Sequence, residues 1–199
     1  MTAMSTPSVP NPALLIMSII FSPDTPGELG PSATYRQALH ELQRSYGPLA
    51  GRGPIARFTQ TDYYDREMGT GLLRQFVCFA PLVSREHLAS IKLATNTLEK
   101  SLSRADSSRR LNIDPGLLSV ENLVLATGKN FTHRIYLRDG IFAEVTLIFQ
   151  GGCFQTLPWT YWDYAALDVV TLLTAWRQEL LCHLRAGAGT LHPISDSPE

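Results

Sequence analysis

Long apolar runs are scarce in this chain. The longest, Ala13 to Phe21, falls far short of the roughly 20 residues that a membrane span requires. No Lys or Arg precedes it, so it does not read as a secretory leader. Cysteine is sparse. The three residues Cys78, Cys153 and Cys182 are odd in number and show no C-x-x-C spacing, which argues against a disulfide framework or a zinc ribbon. Cys78 and Cys182 fall in apolar patterns and are expected in the core as reduced thiols. Neither sign of charge dominates: 17 basic residues face 18 acidic ones, which argues against a dedicated nucleic-acid binder. The phosphate loop GxxxxGK[ST], GxGxxG, GxSxG and HExxH are all missing, and with them the motif-borne nucleotide, hydrolase and zinc-protease chemistries. The expected location is the cytoplasm.

What the chain does have is enough apolar material for a core. Of 199 residues, 44% are hydrophobic and 18% charged, which suits an ordered domain. Residues 1–12 and 187–199 are expected to be loose tails around one domain, 13–186. A first strand is predicted over Leu14 to Ser22 and a helix over Ala33 to Tyr46, opened by Thr34 and Gln37 as a capping box. A strand over Ile55 to Gln60 and another over Leu72 to Val83 follow. A helix from Ser84 to about Ser103 has the stripe Leu88, Ile91, Thr95, Leu98 and Leu102. A strand over Arg109 to Ile113 ends at a turn, Asp114-Pro115-Gly116.

This order predicts an α+β fold. Residues 13–114 form a ferredoxin-like β-α-β-β-α-β unit on an antiparallel sheet. Residues 115–186 extend it with a β-hairpin, a short strand and a long C-terminal helix, with Val169, Leu173, Trp176, Leu180 and Leu184 facing inward. Asp139-Gly140 is a type I′ hairpin signal. With those two residues as the loop, Arg138 pairs with Ile141, Ile135 with Glu144 and His133 with Thr146. His133 and Glu144 are then diagonal neighbours, about 7–8 Å apart along the backbone.

Several polar groups stand where a plain core would hold aliphatics. His133 beside Glu144 suits general acid–base work, or a hydrogen-bonded pair in a half-buried sheet. Lys92, Asn96 and Glu99 share one helix stripe flanking the apolar one, as a cleft wall or a solvated flank. Arg110, Asn112 and Asp114 alternate along a strand and suit an anionic ligand, or a cation on Asp114. The equal alternative is an edge strand ending in a turn. Thr61 to Glu67 is an acidic, aromatic loop: Asp62 and Glu67 suit a divalent ion such as Mg²⁺, and Tyr63 and Tyr64 suit stacking on a ring. Capping and aromatic packing are the plainer account. Lys129, Arg134 and nearby Arg110 together suit an anion site. Leu157 to Tyr164 is an aromatic, proline-led segment that caps a pocket, meets a partner, or packs the last helix. His40, His87, His183 and His192 are expected on helix surfaces or in the tail, without a role.

The stretch from Arg109 to Trp162, the run TDYYDREMG from Thr61 to Gly69 and the Lys92, Asn96, Glu99 spacing resemble a prokaryotic family known as domain of unknown function 4416. The resemblance spans roughly Leu14 to Leu180. It implies no settled activity, but Lys92, Asn96 and Glu99 match its motif, which favours a site there. Relatives commonly carry proline at the position of Trp162. Some relatives bear a GTP-binding label, yet this chain lacks both the phosphate loop and NKxD.

Two functions follow as expectations. One is a small enzyme or ligand-binding protein acting on an anionic small molecule, a nucleotide or phosphorylated metabolite, with or without a divalent metal. The other is a non-catalytic module that binds a protein through the aromatic segment or a sheet edge.

Overall fold

A computed structural model describes residues 6–187. The remainder of both expected tails, His192 included, lies outside the described residues. Residues 6–12 carry no helix or strand.

The core is built around β1 (Ala13–Phe21), which is buried along its whole length. Its two pleat faces serve two separate apolar layers. Leu15, Met17 and Ile19 pack under α1 (Ala33–Tyr46) and α3 (Leu88–Ser101). Leu14 and Ile16 pack under α5 (Leu167–Arg185). A nine-stranded antiparallel sheet thus lies between helices on both faces. Its order is β2 (Leu49–Arg52), β4 (Leu73–Val83), β1, β5 (Leu111–Leu118), β6 (Asn122–Thr127), β8 (Ile141–Gln150) and β7 (Ile135–Arg138). Two short strands attach at the sides: β3 (Ala56–Arg57) on β4 and β9 (Cys153–Thr156) on β8. Together with α2 (Asp65–Met68) and α4 (Trp162–Ala165), the described residues form an α+β fold with five α-helices.

The helical periods translate directly. α1 has the expected bounds, although its cap is Ser32, whose hydroxyl accepts from Tyr35 N, rather than Thr34. In α5, Val169, Leu173, Trp176 and Leu180 are buried and Leu184 packs beside them. The strands required more correction. The strand expected at Ile55 to Gln60 is replaced by β2 and the two-residue β3, and β6 was not anticipated. Cys182 is exposed, on the outer side of α5; Cys78 is buried.

The largest departure is at Asp114-Pro115-Gly116, which forms no turn: β5 runs straight through it. β5 has a neighbour on both sides only from Gly116 to Leu118, where it meets β6. From Leu111 to Pro115 its one strand neighbour is β1. Ile113 turns its N–H and C=O away from β1, toward α3. By strand alternation Pro115 does the same, so its missing N–H falls on the open side, where no strand needs a donor. Gly116 then admits β6 closely: a Cβ there would lie 2.5 Å from Leu125 Cδ2 and 3.1 Å from the Val124 carbonyl.

Candidate functional site

On the Pro115 side of Gly116 the two strands part, and α3 fills the gap. Lys92 and Glu99, about two turns apart on one helix stripe, reach through it to the unpaired ladder groups of β5. Lys92 Nζ donates to the Ile113 carbonyl at 2.8 Å. Glu99 Oε1 accepts from Ile113 N at 2.8 Å. Two side chains thus take the place of a missing strand, which explains why ionisable groups with 7% and 5% exposure are tolerated there.

The opening is the floor of a cleft of about 780 Å³ on the α5 side of the sheet. Asn112 and Asp114 of β5 form one wall; Leu125 to Lys129 and Glu144 form the other. The α2 approach, with Phe58, Tyr63 and Tyr64, covers it from one side, and Tyr161 to Tyr164 from the other. Four cations (Lys92, Arg109, Lys129, Arg134) and four carboxylates (Glu99, Asp114, Glu144, Asp163) line it.

The carboxylates are engaged by protein donors. Lys92 Nζ reaches Asp114 Oδ1 at 3.2 Å, and Asn112 Nδ2 donates to Asp114 Oδ2 at 2.6 Å. Arg109 donates to Asn112 Oδ1 at 2.9 Å and lies 3.6 Å from Glu99 Oε2. It also grips Glu67 through Nε and Nη2 at 2.8 and 2.7 Å. That fork holds the Glu67 carboxyl below the usual carboxylate range and raises the guanidinium still further. Glu144, 2% exposed, accepts from Arg134 Nε at 2.8 Å and contacts His133 Nε2 at 2.9 Å. Asp163 is bonded to the buried Arg74 guanidinium, which lies over the Phe76 ring at 4.5 Å.

Lys129 differs from the other cations of the cleft. Among the described residues no carboxylate lies within ion-pair distance of it. Its ammonium donates to Tyr63 Oη at 3.0 Å, which lowers the Tyr63 phenol below its ordinary value.

The candidates therefore divide. Lys92, Asn96, Glu99, Asn112, Asp114, Lys129, Arg134, Tyr64 and Glu144 share the cleft. Arg110 is exposed and not part of the wall; Arg109 takes that place. The strand begins only at Leu111, so alternation does not extend back to the arginines. Asp62 is exposed and off the wall. With Glu67 held by Arg109, the expected metal pair in that loop is not assembled. Among the described residues no group of three or more His, Cys, Asp and Glu is placed to hold a metal.

His133 stands behind Glu144. It lies in a turn before β7, with Arg134 N bonded to the Phe131 carbonyl, and stacks on Trp159 at 4.7 Å and 8°. The hairpin register explains this place. Arg138 faces Ile141 as expected, but an irregularity between Tyr136 and Arg138 sets Ile135 opposite Ala143 instead of Glu144. Sequence reasoning overlooked Arg74, and it took Asp163 and Tyr164 only as members of the segment Leu157 to Tyr164. Arg74 on a largely apolar strand was the available signal.

Burial holds the Glu99 carboxyl above the ordinary range. The folded protein keeps that proton to higher pH than the unfolded chain does. This group's contribution therefore declines as pH rises from the unfolded value, about 4.3, through the folded one. Glu99→Gln still accepts from Ile113 N and removes the decline. In urea unfolding, the stability of the variant relative to wild type should rise between about pH 4 and about pH 7. A pH-independent difference would contradict this account.

No curated protein and no solved structure matches the chain. The sequence model of one family does, across residues 11–180, and that span contains every residue of the cleft. The chain belongs to the family described as Domain of unknown function (DUF4416).

Proposed function

We propose that the cleft binds a small anionic molecule, a nucleotide or phosphorylated metabolite, and that the protein is an enzyme or ligand-binding protein built around it. One observation carries this reading. Ionisable residues from α3, β5, the β6 end and β8 meet on one concave surface, and Lys129 brings a cation to its mouth without a carboxylate partner. The volume is in the range of small-molecule sites, roughly 300–1,000 Å³. Glu144 is the group positioned for proton transfer, and His133 orients it from behind. Aromatic cover from two sides suits a ligand with a flat part.

The scaffold reading is a ferredoxin-like β-α-β-β-α-β unit extended by a hairpin. The order β2-β4-β1-β5, with α1 and α3 on one face, supports it. Three free thiols, two of them exposed, suit a reducing cytoplasm. Among the described residues no helix is long and apolar enough to cross a membrane. The interaction-module reading draws on Trp162, strongly exposed on the wall of the cleft, and on Leu167, strongly exposed at the start of α5.

The test is thermal unfolding with ribose 5-phosphate and the nucleoside 5′-monophosphates. A ligand at 100 times its dissociation constant stabilises by about 2.7 kcal/mol, which is several degrees in Tm. Lys129→Ala should leave the unliganded Tm in place, since the side chain is exposed, and abolish most of that shift. No shift with any of these compounds would reject the anionic-ligand reading and favour the protein partner.

A further inference from the structure

Tyr164, in α4, is 4% exposed, and its buried hydroxyl has Ser18 beside it but makes no hydrogen bond of normal geometry to a protein atom. A buried hydroxyl without a well-formed hydrogen bond is costly and uncommon in a folded protein. Its surroundings belong to the cleft: Ser18 lies alongside it, and Asp114, Asp163 and Arg74 act on it electrostatically. Burial and the two carboxylates push the phenol well above its ordinary value. It therefore stays protonated and can only gain from an acceptor.

We infer that the deep end of the cleft is a carbonyl subsite: the Tyr164 hydroxyl, with Ser18 beside it, takes the carbonyl oxygen of a flat heterocycle whose anionic group sits at Lys129. This deepens the anionic-ligand reading and rests on it. Three features select the chemistry. A carbonyl oxygen has two lone pairs and can accept from two hydroxyls at once. It is neutral, whereas a second anionic group at that depth would meet Asp114 and Asp163. Trp162, 86% exposed on the wall of the cleft, and Tyr161 beside it offer ring faces for stacking. The ligand is thereby oriented, with its charge at the mouth and its neutral carbonyl at the floor.

The experiment compares three probes by calorimetric titration. Inosine 5′-monophosphate has the ring, the carbonyl and the phosphate. Purine riboside 5′-monophosphate lacks the carbonyl. Ribose 5-phosphate lacks the ring. The wild type should bind the inosine compound about tenfold more tightly than the purine compound, the size of one good hydrogen bond to a buried donor. In Tyr164→Phe the two should converge, with ribose 5-phosphate unaffected. The unliganded variant should melt no lower than wild type, because it removes a buried hydroxyl that lacks a well-formed hydrogen bond. Affinity and stability thus move in different directions, which a structural role for the hydroxyl would not produce. Equal binding of the two nucleotides by the wild type would overturn the subsite, as would a tenfold gap that persists in Tyr164→Phe or a lower melting temperature for that variant. Ribose 5-phosphate binding that depends on Lys129 would leave the anionic-ligand reading standing in those cases. Failure of all three probes to bind would overturn both.

Discussion

Glu144→Ala lowers the unfolding free energy by about 3 kcal/mol, the low end of what is lost when one partner of a buried ion pair is removed. Glu144 sits in β8 opposite Leu125. Arg134 Nε and His133 Nε2 both converge on its Oε2. Removing the carboxylate leaves a largely buried guanidinium with no counter-charge and an imidazole, stacked on Trp159, with no fixed partner. Arg134 also donates to the Lys129 carbonyl at 2.9 Å, so the loss loosens the mouth of the cleft. Glu144→Gln keeps the shape and one acceptor oxygen and loses less, about 1–2 kcal/mol. It also leaves the Arg134 charge uncompensated at the cleft wall, so inosine 5′-monophosphate should bind several-fold more tightly. Urea unfolding and calorimetry measure the two effects. A Glu144→Ala variant as stable as wild type would mean that the Arg134 and His133 contacts contribute nothing to folding.

Arg74→Met produces a loss of the same size, about 3–5 kcal/mol, with a distinct pH signature. The Arg74 side chain is 8% exposed and Asp163 13%. Their bond fastens the segment before α5 to β4. Burial already holds the Asp163 carboxyl above its ordinary range, with Arg74 as the opposing influence. Without Arg74 that carboxyl rises further. The folded state then retains a proton that the unfolded chain releases near about pH 3.9. Stability accordingly falls as pH rises from there. The deficit should be largest at neutral pH and shrink toward acid. Adding Asp163→Leu should recover most of it, because a well-packed apolar pair replaces a buried ionic one at little cost. A double variant no better than Arg74→Met would show that the loss comes from the arginine's packing on Phe76 and Phe58.

The parts of the fold legible from sequence are those governed by local repetition. The bounds of α1, the inward stripe of α5 and the Asp139-Gly140 turn, both residues at positive φ, follow from residues within a few positions of one another. The hairpin register beyond that turn was not legible, since one irregular residue near Leu137 changes every later pairing. Asp114-Pro115-Gly116 misled for a related reason. Its turn-forming composition describes what the peptide prefers alone, whereas in the protein Pro115 occupies a ladder position where no strand needs a donor. Arg109 and Arg110 were indistinguishable without knowing where β5 begins.

The amino-acid order by itself determined the family, the main helices, an α+β core and most of the polar residues that line the cleft. Side-chain periodicity records which face of an element is apolar, and that much is local. Only the tertiary structure decided that β5 and β6 part on the Pro115 side of Gly116. Whether a strand has a neighbour at its edge depends on segments far away in the chain, and no local pattern encodes it. That parting admits Lys92 and Glu99 to the ladder groups of Ile113 and opens the cleft above them.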